Sequence, residues 1–337
     1  MVMVVVAASF GERVHDGDDQ KLGEMDNMLH YNLIYHSLDE GECKMRITML
    51  KGFLVAALLL GTSLSHAKPL VLSSLKPLTL IAQEIAGTAA DVDTLLPESA
   101  SHHDYPLKVS DYSRLQKADL FVWIGPELES FLQKPVANLP ATKVLTAYDL
   151  PGLFWPDEAS VSEDHHHAKD PHLWLDARNA VTVARAITEK LIKLDTPNTD
   201  LYRKNLQAFA SKMHELDNRL LAQMKPVSGV GFAVYHEGFA HFVSHYGLRQ
   251  LDYITFTPEQ KPGAKHMQQL RERLSKDGSC LFLEPYNNLQ ATRDLAQELH
   301  LRIGTLDALG TQSTKTYSQL LEQMATDFLT CLTNGRH

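Results

Sequence analysis

The sequence predicts an α/β fold made of two sets of strand–helix units that a long helix separates. Short apolar runs alternate with helical patterns on both sides of the middle of the chain, which is typical of parallel sheets. Between the two sets lies a helical pattern of about 28 residues, roughly 42 Å at 1.5 Å per residue. A helix of that length can cross between two lobes.

The first set begins with a strand predicted over 71–75 and a helix predicted over 77–87. A strand over 91–96 is followed by a loop, and a helical pattern over 110–117 leads to the strongly apolar strand 120–124. Ligand sites in parallel sheets lie beyond the carboxyl ends of the strands. The loop after the strand 91–96 is therefore a candidate position for a site.

The middle of the chain contains two predicted helices, over 177–194 and from Pro197 to about Met224. Strands and helices alternate again after this point, with strands over 231–235, 281–285 and 302–307 and helices over 238–245, 290–300 and 317–332.

These elements predict the domain organisation. We expect an N-terminal α/β lobe over 68–196, which includes a polar loop over 157–170. A linking helix over 197–225 and a C-terminal α/β lobe over 226–337 follow.

The N-terminus has the pattern of a secretory signal. Basic residues flank the apolar run 53–61, and the small residues Ser65 and Ala67 suit cleavage after Ala67. This predicts a signal peptide over 45–67. Because a signal peptide stands at the start of a protein, residues 1–44 are interpreted as an upstream extension from a start codon assigned too early, with an unusually extended leader as the alternative.

Charge and cysteine content restrict the class of protein. The net charge is −9 and no long basic run is present, which argues against a nucleic-acid partner. Of three cysteines, Cys280 and Cys331 remain after cleavage of the predicted signal. An even pair in an exported protein predicts a disulfide, with two buried free thiols as the alternative.

Three widely spaced histidines are the candidate metal ligands. They are His103 in Ser-His-His-Asp-Tyr, His172 in Asp-Pro-His-Leu-Trp-Leu-Asp, and His236 at the end of the strand 231–235. Separations of 69 and 64 residues exclude a local zinc knuckle. If the fold brings the three together, three neutral imidazoles favour zinc, since manganese prefers more oxygen ligands.

The sequence leaves the fourth ligand open. Asp307 stands at the predicted end of the last strand and is the first candidate, His102 is the second, and water is the third. Asp170 and Asp176 flank His172, and either could orient its ring. Loss of affinity is expected as the pH falls through the histidine range near ~6.5.

Other histidines carry weaker signals. His165, His166 and His167 lie in the polar loop and could collect metal or could be solvated without a role. His241 and His245 are one helical turn apart, and we expect them on a solvated helix face rather than as a metal pair.

Five ordered motifs together resemble a known family over 68–337. They are His-Asp-Tyr at 103–105, Leu-Gln-Lys-Ala-Asp-Leu-Phe-Val-Trp-Ile-Gly-Pro-Glu-Leu-Glu at 115–129, Asp-Pro-His-Leu-Trp-Leu-Asp at 170–176, Tyr-His at 235–236, and Gly-Thr-Leu-Asp-Ala-Leu-Gly at 304–310. The chain is similar to the periplasmic zinc-binding proteins of ABC-type zinc importers.

The resemblance implies two Rossmann-like lobes joined by one rigid helix, with a single metal in the cleft. It implies that His103, His172 and His236 are ligands, and it supports the Cys280–Cys331 disulfide. A carboxylate replaces the third histidine in manganese relatives, so His236 supports zinc. Close zinc relatives often have Glu before the first ligand, where this chain has His102, and their His-rich loop is longer.

We therefore expect a monomeric, periplasmic, non-enzymatic protein that binds one Zn²⁺ and delivers it to the permease and ATPase subunits of an importer. Two alternatives stay open at this point. An exported zinc hydrolase would need an open coordination position for water and a general base. A metal-sequestering surface protein would lack a permease partner.

Overall fold

The structure is a computed structural model that describes residues 67–98, 100–156, 169–285 and 290–333. The predicted upstream extension, nearly all of the predicted signal peptide and the histidines at 165–167 lie outside these ranges. Along the part of the chain that is described, no helix combines the length and the apolar character needed to cross a membrane.

The first half of the chain forms a parallel sheet of four strands in the order β2-β1-β3-β4. The strands are β1 (Leu70–Ser73), β2 (Asp91–Thr94), β3 (Leu120–Trp123) and β4 (Val144–Thr146). Strand β3 is buried at every position, as its apolar sequence predicts.

The second half repeats this arrangement with the order β6-β5-β7-β8. Its parallel strands are β5 (Gly231–His236), β6 (Arg249–Thr255), β7 (Gly278–Leu283) and β8 (Arg302–Thr305). In both sheets the first strand lies inside the sheet, and the chain adds its next strands on opposite sides of it. Such a reversal leaves a crevice at the carboxyl ends of the strands.

Helices flank the two sheets, which confirms the predicted α/β class. Those that precede the second sheet are α1 (Lys76–Ala86), α2 (Val109–Lys117), α3 (Gln133–Ala137), α4 (Ala177–Leu194) and α5 (Thr199–Met224). Those of the second half are α6 (Ala240–His245), α7 (Ala264–Asp277), α8 (Gln290–Glu298) and α9 (Tyr317–Leu332). Helices α4 and α9 have the predicted bounds.

The long helix α5 has 26 residues and follows a short 3₁₀ turn over Thr196–Asn198. It packs against α1 and α4 from the first half and against α9 from the second. Asn205 Nδ2 donates to the Ile85 carbonyl over 2.9 Å, and Arg219 pairs with Glu322 at 2.8 Å. Besides connecting the two sheets, α5 is therefore part of the packing that holds them.

One apolar core extends through both halves, from Val71 in β1 to Leu332 in α9. A smaller cluster lies between the second sheet and helices α7 and α8, and it includes Leu270, Leu274 and Leu295. Sheets β1–β4 and β5–β8 fall within the predicted lobes 68–196 and 226–337. The exact domain boundaries stay a prediction.

Four elements were not predicted from the sequence. Strands β4 and β6 and helices α3 and α7 lack a clear periodic signal. Strand β4 has three residues, and the first three residues of the edge strand β6 are not buried. Helix α7 buries only Leu270 and Leu274. Short or largely solvated elements carry too few apolar positions for periodicity to reveal them.

The predicted disulfide is confirmed. Cys280 in β7 and Cys331 in α9 are bonded, with a Cα–Cα distance of 6.2 Å and a separation of 51 residues. Both residues are buried. The bond fastens the C-terminal helix to an inner strand of the second sheet.

We expect loss of this bond to lower the free energy of unfolding by up to about 4 kcal/mol, because it closes a long loop in the unfolded chain. Urea unfolding of Cys280→Ala, Cys331→Ala and the double variant measures this effect. Either single substitution should produce most of the loss, since each removes the whole bond. Unfolding midpoints that match the oxidised parent would contradict the prediction.

Candidate metal centre

His236 is the last residue of β5 and is fully buried. The chain passes close to its ring two residues later, at Gly238. A Cβ atom at Gly238 would lie 2.3 Å from His236 Nε2. Glycine at this position therefore leaves space on the side of the imidazole that carries a potential ligand atom.

His102 and His103 lie in the loop between β2 and α2, which we call the His102–His103 loop. The Ser101 hydroxyl accepts hydrogen bonds from the backbone N–H groups of His103, over 3.1 Å, and Asp104, over 3.3 Å. Such serine turns fix local backbone direction. His102 is 4% exposed, and His103 is partly buried.

His172 precedes a 3₁₀ turn over Leu173–Leu175 in which all three side chains are buried. Trp174 Nε1 donates to the Ala308 carbonyl over 2.7 Å, and the Tyr317 hydroxyl donates to the Trp174 carbonyl. Asp176 caps the N-terminus of α4 by accepting from Arg178 N. His172 is therefore held between the start of α4 and the second half of the chain.

The three predicted histidines meet, and His102 meets them. The potential ligand atoms of all four side chains lie within 4.8 Å of one another. His172 Nε2 lies 3.2 Å from His102 Nε2 and 3.4 Å from His236 Nε2. Tetrahedral zinc with Zn–N bonds of about 2.05 Å places neighbouring nitrogens about 3.3 Å apart. These nitrogens thus have the spacing of a metal site.

The free nitrogen of His103 supports the same arrangement. His103 Nε2 is buried and has no hydrogen-bond partner among the described residues. A buried polar atom without a partner is costly, so such an atom usually indicates a bound group. A metal ion among the four rings would provide the missing partner.

Two carboxylates contact the outer nitrogens of the cluster. Asp170 Oδ1 lies 2.7 Å from His172 Nδ1 and also accepts from His172 N over 3.0 Å. Glu284 Oε1 lies 2.8 Å from His236 Nδ1, in ion-pair range but outside the angular range of a hydrogen bond. Carboxylates at this position direct the other imidazole nitrogen toward a metal. Of the two acids that flank His172, Asp170 contacts its ring, whereas Asp176 caps α4.

His241 supports Asp170 in turn, and the expectation of a solvated face for His241 was wrong. His241 is 2% exposed, and its Nε2 lies 2.9 Å from the Asp170 carbonyl oxygen. Its Nδ1 lies 3.3 Å from Asn179 Nδ2. His245 is also mostly covered, with its Nε2 2.6 Å from Asp217 Oδ1. The short helix α6 is enclosed by its neighbours, which sequence spacing alone does not reveal.

Glu284 was not singled out from the sequence, although topology explains its position. Strands β5 and β7 are parallel neighbours with Val234 opposite Phe282. Two residues further along the same register, His236 at the end of β5 and Glu284 just after β7 lie side by side. Knowledge of this strand pairing, which a single sequence does not provide, would have identified Glu284.

Asp307, the first candidate for the fourth ligand, is not one of the clustered side chains. It follows β8, which lies two strands from β5 with β7 between them. Strand spacing of about 4.8 Å places it roughly 10 Å to the side of His236. Asp307 Oδ1 accepts from Leu309 N and Gly310 N over 3.0 and 2.9 Å. The carboxylate thus stabilises a turn.

Burial and mutual repulsion set the protonation of the rings. Burial, followed by the neighbouring imidazoles, lowers the pKa of His102 and lowers that of His103 to about 2. Burial also lowers the pKa of His172, although an adjacent carboxylate opposes the shift. Burial also acts to lower the pKa of His236, but the nearby carboxylates, Glu284 first among them, together outweigh it and raise that pKa. Three of the rings are therefore neutral near pH 7, the form that binds metal.

Two parallel sheets that bring four buried imidazoles to one point define a metal-binding protein of the two-lobed α/β class. The model of the family "Zinc-uptake complex component A periplasmic" (ZnuA) matches residues 71–331, and the chain belongs to this family.

Individual relatives agree with this family. The chain is 33% identical to the high-affinity zinc uptake system protein ZnuA of Yersinia pestis over 308 residues, covering 84% of this chain and 97% of the relative. The protein of the same name from Haemophilus ducreyi is 32% identical, with 84% and 99% covered. The crystal structure of a Zn(II)-bound mutant variant of AdcAII from Streptococcus pneumoniae superposes with a TM-score of 0.68 at 26% identity, covering 79% of this chain and 98% of that one.

The lowered histidine pKa values predict a stability change with pH in the metal-free protein. Unfolded histidines bind protons near pH ~6.5, whereas His102, His103 and His172 bind them only at lower pH. Below pH ~6.5 the unfolded state therefore binds more protons, and the free energy of unfolding should decrease as the pH falls from about 7 to 5. His236, with its raised pKa, opposes part of this change.

Urea unfolding at several pH values in the presence of a chelator measures this dependence. His103→Gln should make the decrease shallower, because one of the shifted groups is gone. The exposed His214 on α5 provides the matched control, His214→Gln, which should leave the slope unchanged. Equal slopes for the parent and His103→Gln would contradict the interpretation.

Proposed function

We propose that this protein captures Zn²⁺ in the periplasm with His102, His103, His172 and His236 and delivers it to an ABC-type import permease. The observation that carries the proposal is the convergence of four potential ligand nitrogens within 4.8 Å. Membership of the periplasmic zinc-uptake family and the names of the relatives supply the transport context.

The donor set favours zinc over harder metals. All four donors are imidazole nitrogens, which suit zinc, whereas manganese prefers carboxylate and water oxygens. The nearby carboxylates of Asp170 and Glu284 contact the outer ring nitrogens of His172 and His236. They orient the ligands and offset the charge of the ion without taking a coordination position.

His102 is the fourth ligand in this proposal. Its Nε2 lies among the other ligand atoms, whereas Asp307 lies beyond β8 and supports a turn. Four protein ligands fill tetrahedral zinc and leave no position for a reactive water. A filled coordination sphere suits capture and disfavours the hydrolase alternative, which needs an open position.

Partners and location follow from the family. A solute-binding component of an importer requires a permease and an ATPase, and we propose that this protein serves them in the periplasm as a monomer. This context also disfavours the sequestering alternative. Zinc binding draws on ligands from both halves of the chain, so occupancy can alter the surface that a permease contacts.

The two candidates for the fourth ligand make different predictions. His102→Ala should weaken zinc affinity more than about 100-fold, because a bound nitrogen is lost. Asp307→Asn keeps the acceptor for Leu309 N and Gly310 N and should change affinity less than about threefold. Competition titrations against a chromophoric chelator measure both. The opposite ranking would assign the fourth position to Asp307.

The test of capture itself counts tightly bound ions in the mature protein. We expect one Zn²⁺ per chain by calorimetry and by elemental analysis, and none in a variant that replaces His103, His172 and His236 with alanine. The same variant should retain its helical circular dichroism, because the large core lies elsewhere. Undiminished zinc binding by this variant would overturn the proposed function.

Asp170 should act through His172. Asp170→Asn replaces a carboxylate that contacts His172 Nδ1 by a weaker acceptor, and we expect zinc affinity to fall about 10- to 100-fold with one ion still bound. The exposed Asp200 on α5 provides the matched control, Asp200→Asn, with no change expected. Equal affinities for the two variants would show that orientation by Asp170 does not contribute.

A further inference from the structure

The His102–His103 loop contacts the second half of the chain at a point outside the ligand cluster. The Ser101 hydroxyl donates to Glu259 Oε1 over 2.7 Å. The Ser101 hydroxyl oxygen also accepts hydrogen bonds from His103 N and Asp104 N. Ser101 therefore joins the backbone of a metal ligand to a residue 158 positions away in the sequence.

Glu259 lies in a turn that follows β6 and that is held by its own hydrogen bonds. The Thr255 hydroxyl donates to the carbonyls of Thr257 and Gln260, each over 2.8 Å. Gln260 N also donates to the Thr257 carbonyl over 3.1 Å. Glu259 therefore lies in a turn whose backbone is held in place by several hydrogen bonds.

This turn is connected to the opposite side of the metal centre. Glu237 N donates to the Thr255 carbonyl over 3.1 Å, and Glu237 directly follows the ligand His236. A continuous path of contacts therefore runs from His103 through Ser101, Glu259 and Thr255 to His236. It joins ligands from the two halves without passing through the metal position.

A second contact lies on the same loop. Lys76 Nζ, at the start of α1, pairs with Glu98 Oε1 at 2.8 Å and also donates to the Thr311 carbonyl in the second half. Glu98 in the loop is therefore connected to the second half only indirectly, through Lys76, whereas Ser101 contacts it directly.

We propose that the Ser101–Glu259 hydrogen bond is a latch that holds the His102–His103 loop against the second half and slows zinc release. Glu259 is a positioning residue in this proposal, since it acts through Ser101 and not on the ion. Removing it leaves all four imidazoles in place but frees the loop to move away with His102 and His103. The inference rests on the proposed function, because it concerns how the same site retains its ion.

Zinc release into excess chelator, followed by stopped flow, tests the latch. Glu259→Ala should release zinc about three- to tenfold faster than the parent, the kinetic equivalent of one net hydrogen bond. Glu259→Gln keeps an oxygen acceptor for Ser101 and should restore most of the slow release. The exposed Glu215 on α5 gives the charge-matched control, Glu215→Ala, with the parental rate.

A double-variant cycle distinguishes loss of the Ser101–Glu259 hydrogen bond from other effects of the substitutions on the stability of the loop. Ser101→Ala also loses the turn contacts to His103 N and Asp104 N, so its rate alone is not diagnostic. If Ser101 and Glu259 act through one bond, Ser101→Ala/Glu259→Ala releases zinc no faster than Ser101→Ala. The thermal midpoint of the metal-free Glu259→Ala protein should equal that of the Glu215→Ala control.

Two results would overturn the latch: a release rate for Glu259→Ala equal to that of Glu215→Ala, or independent multiplication of the two effects in the double variant. Failure of the proposed function is recognised separately, because the parent itself would then not hold one tightly bound zinc at the start of the assay.

Discussion

Four imidazoles can share one buried volume only while most of them are uncharged, and this constraint governs the arrangement around the site. Each additional proton would repel its neighbours in surroundings that solvate charge poorly. A bound divalent ion brings positive charge into this buried volume, and such a charge needs negative groups nearby to compensate it. Asp170 and Glu284 provide two carboxylates at the outer nitrogens of His172 and His236. The site is thus suited both to neutral rings without metal and to a compensated charge with metal.

The repeated strand order explains where these groups come from. The second sheet starts with an inner strand, β5, whose carboxyl end delivers His236, and its parallel neighbour β7 delivers Glu284. The edge strand β8 delivers Asp307, which is too far to the side to join them. Parallel register therefore separates a carboxylate that contacts the cluster from one that stabilises a turn, although both lie just beyond the carboxyl ends of neighbouring strands.

The sequence predicted those features that depend on strong local patterns. The apolar strand before His236, the helices α4 and α9, and the two sets of strand–helix units were all recognisable. The convergence of His103, His172 and His236 followed from their positions in loops and at a strand end together with the family resemblance. The cysteine pair was predicted because few alternatives remain once the N-terminal segment is excluded.

Features that depend on neighbours in space were not recognisable. Glu284 requires the β5–β7 register, and the burial of His241 requires the packing of α6 against the segment that carries Asp170. The position of Asp307 to the side of the histidine cluster depends on the order of strands in the sheet. Periodicity reports which face of an element is apolar, but it contains no information about which elements are adjacent.

The contacts that hold the four clustered histidines differ in how deeply they are buried, and for the proposed zinc site this difference bears on how the ion is released. His172 is fixed by Trp174, which is fully buried and bonded to Ala308 in the second half. His236 belongs to an inner strand. These two ligands can separate only if the shared core opens, and that core extends along α5 and α9.

The His102–His103 loop instead contacts the second half through the exposed hydrogen bond between Ser101 and Glu259. Surface hydrogen bonds open locally at far lower cost than a core. For the proposed zinc site, local opening of the loop is therefore a less costly route to release than opening of the core, and it would free His102 and His103 before His172 and His236. Tight capture and release would then not require the two halves to part.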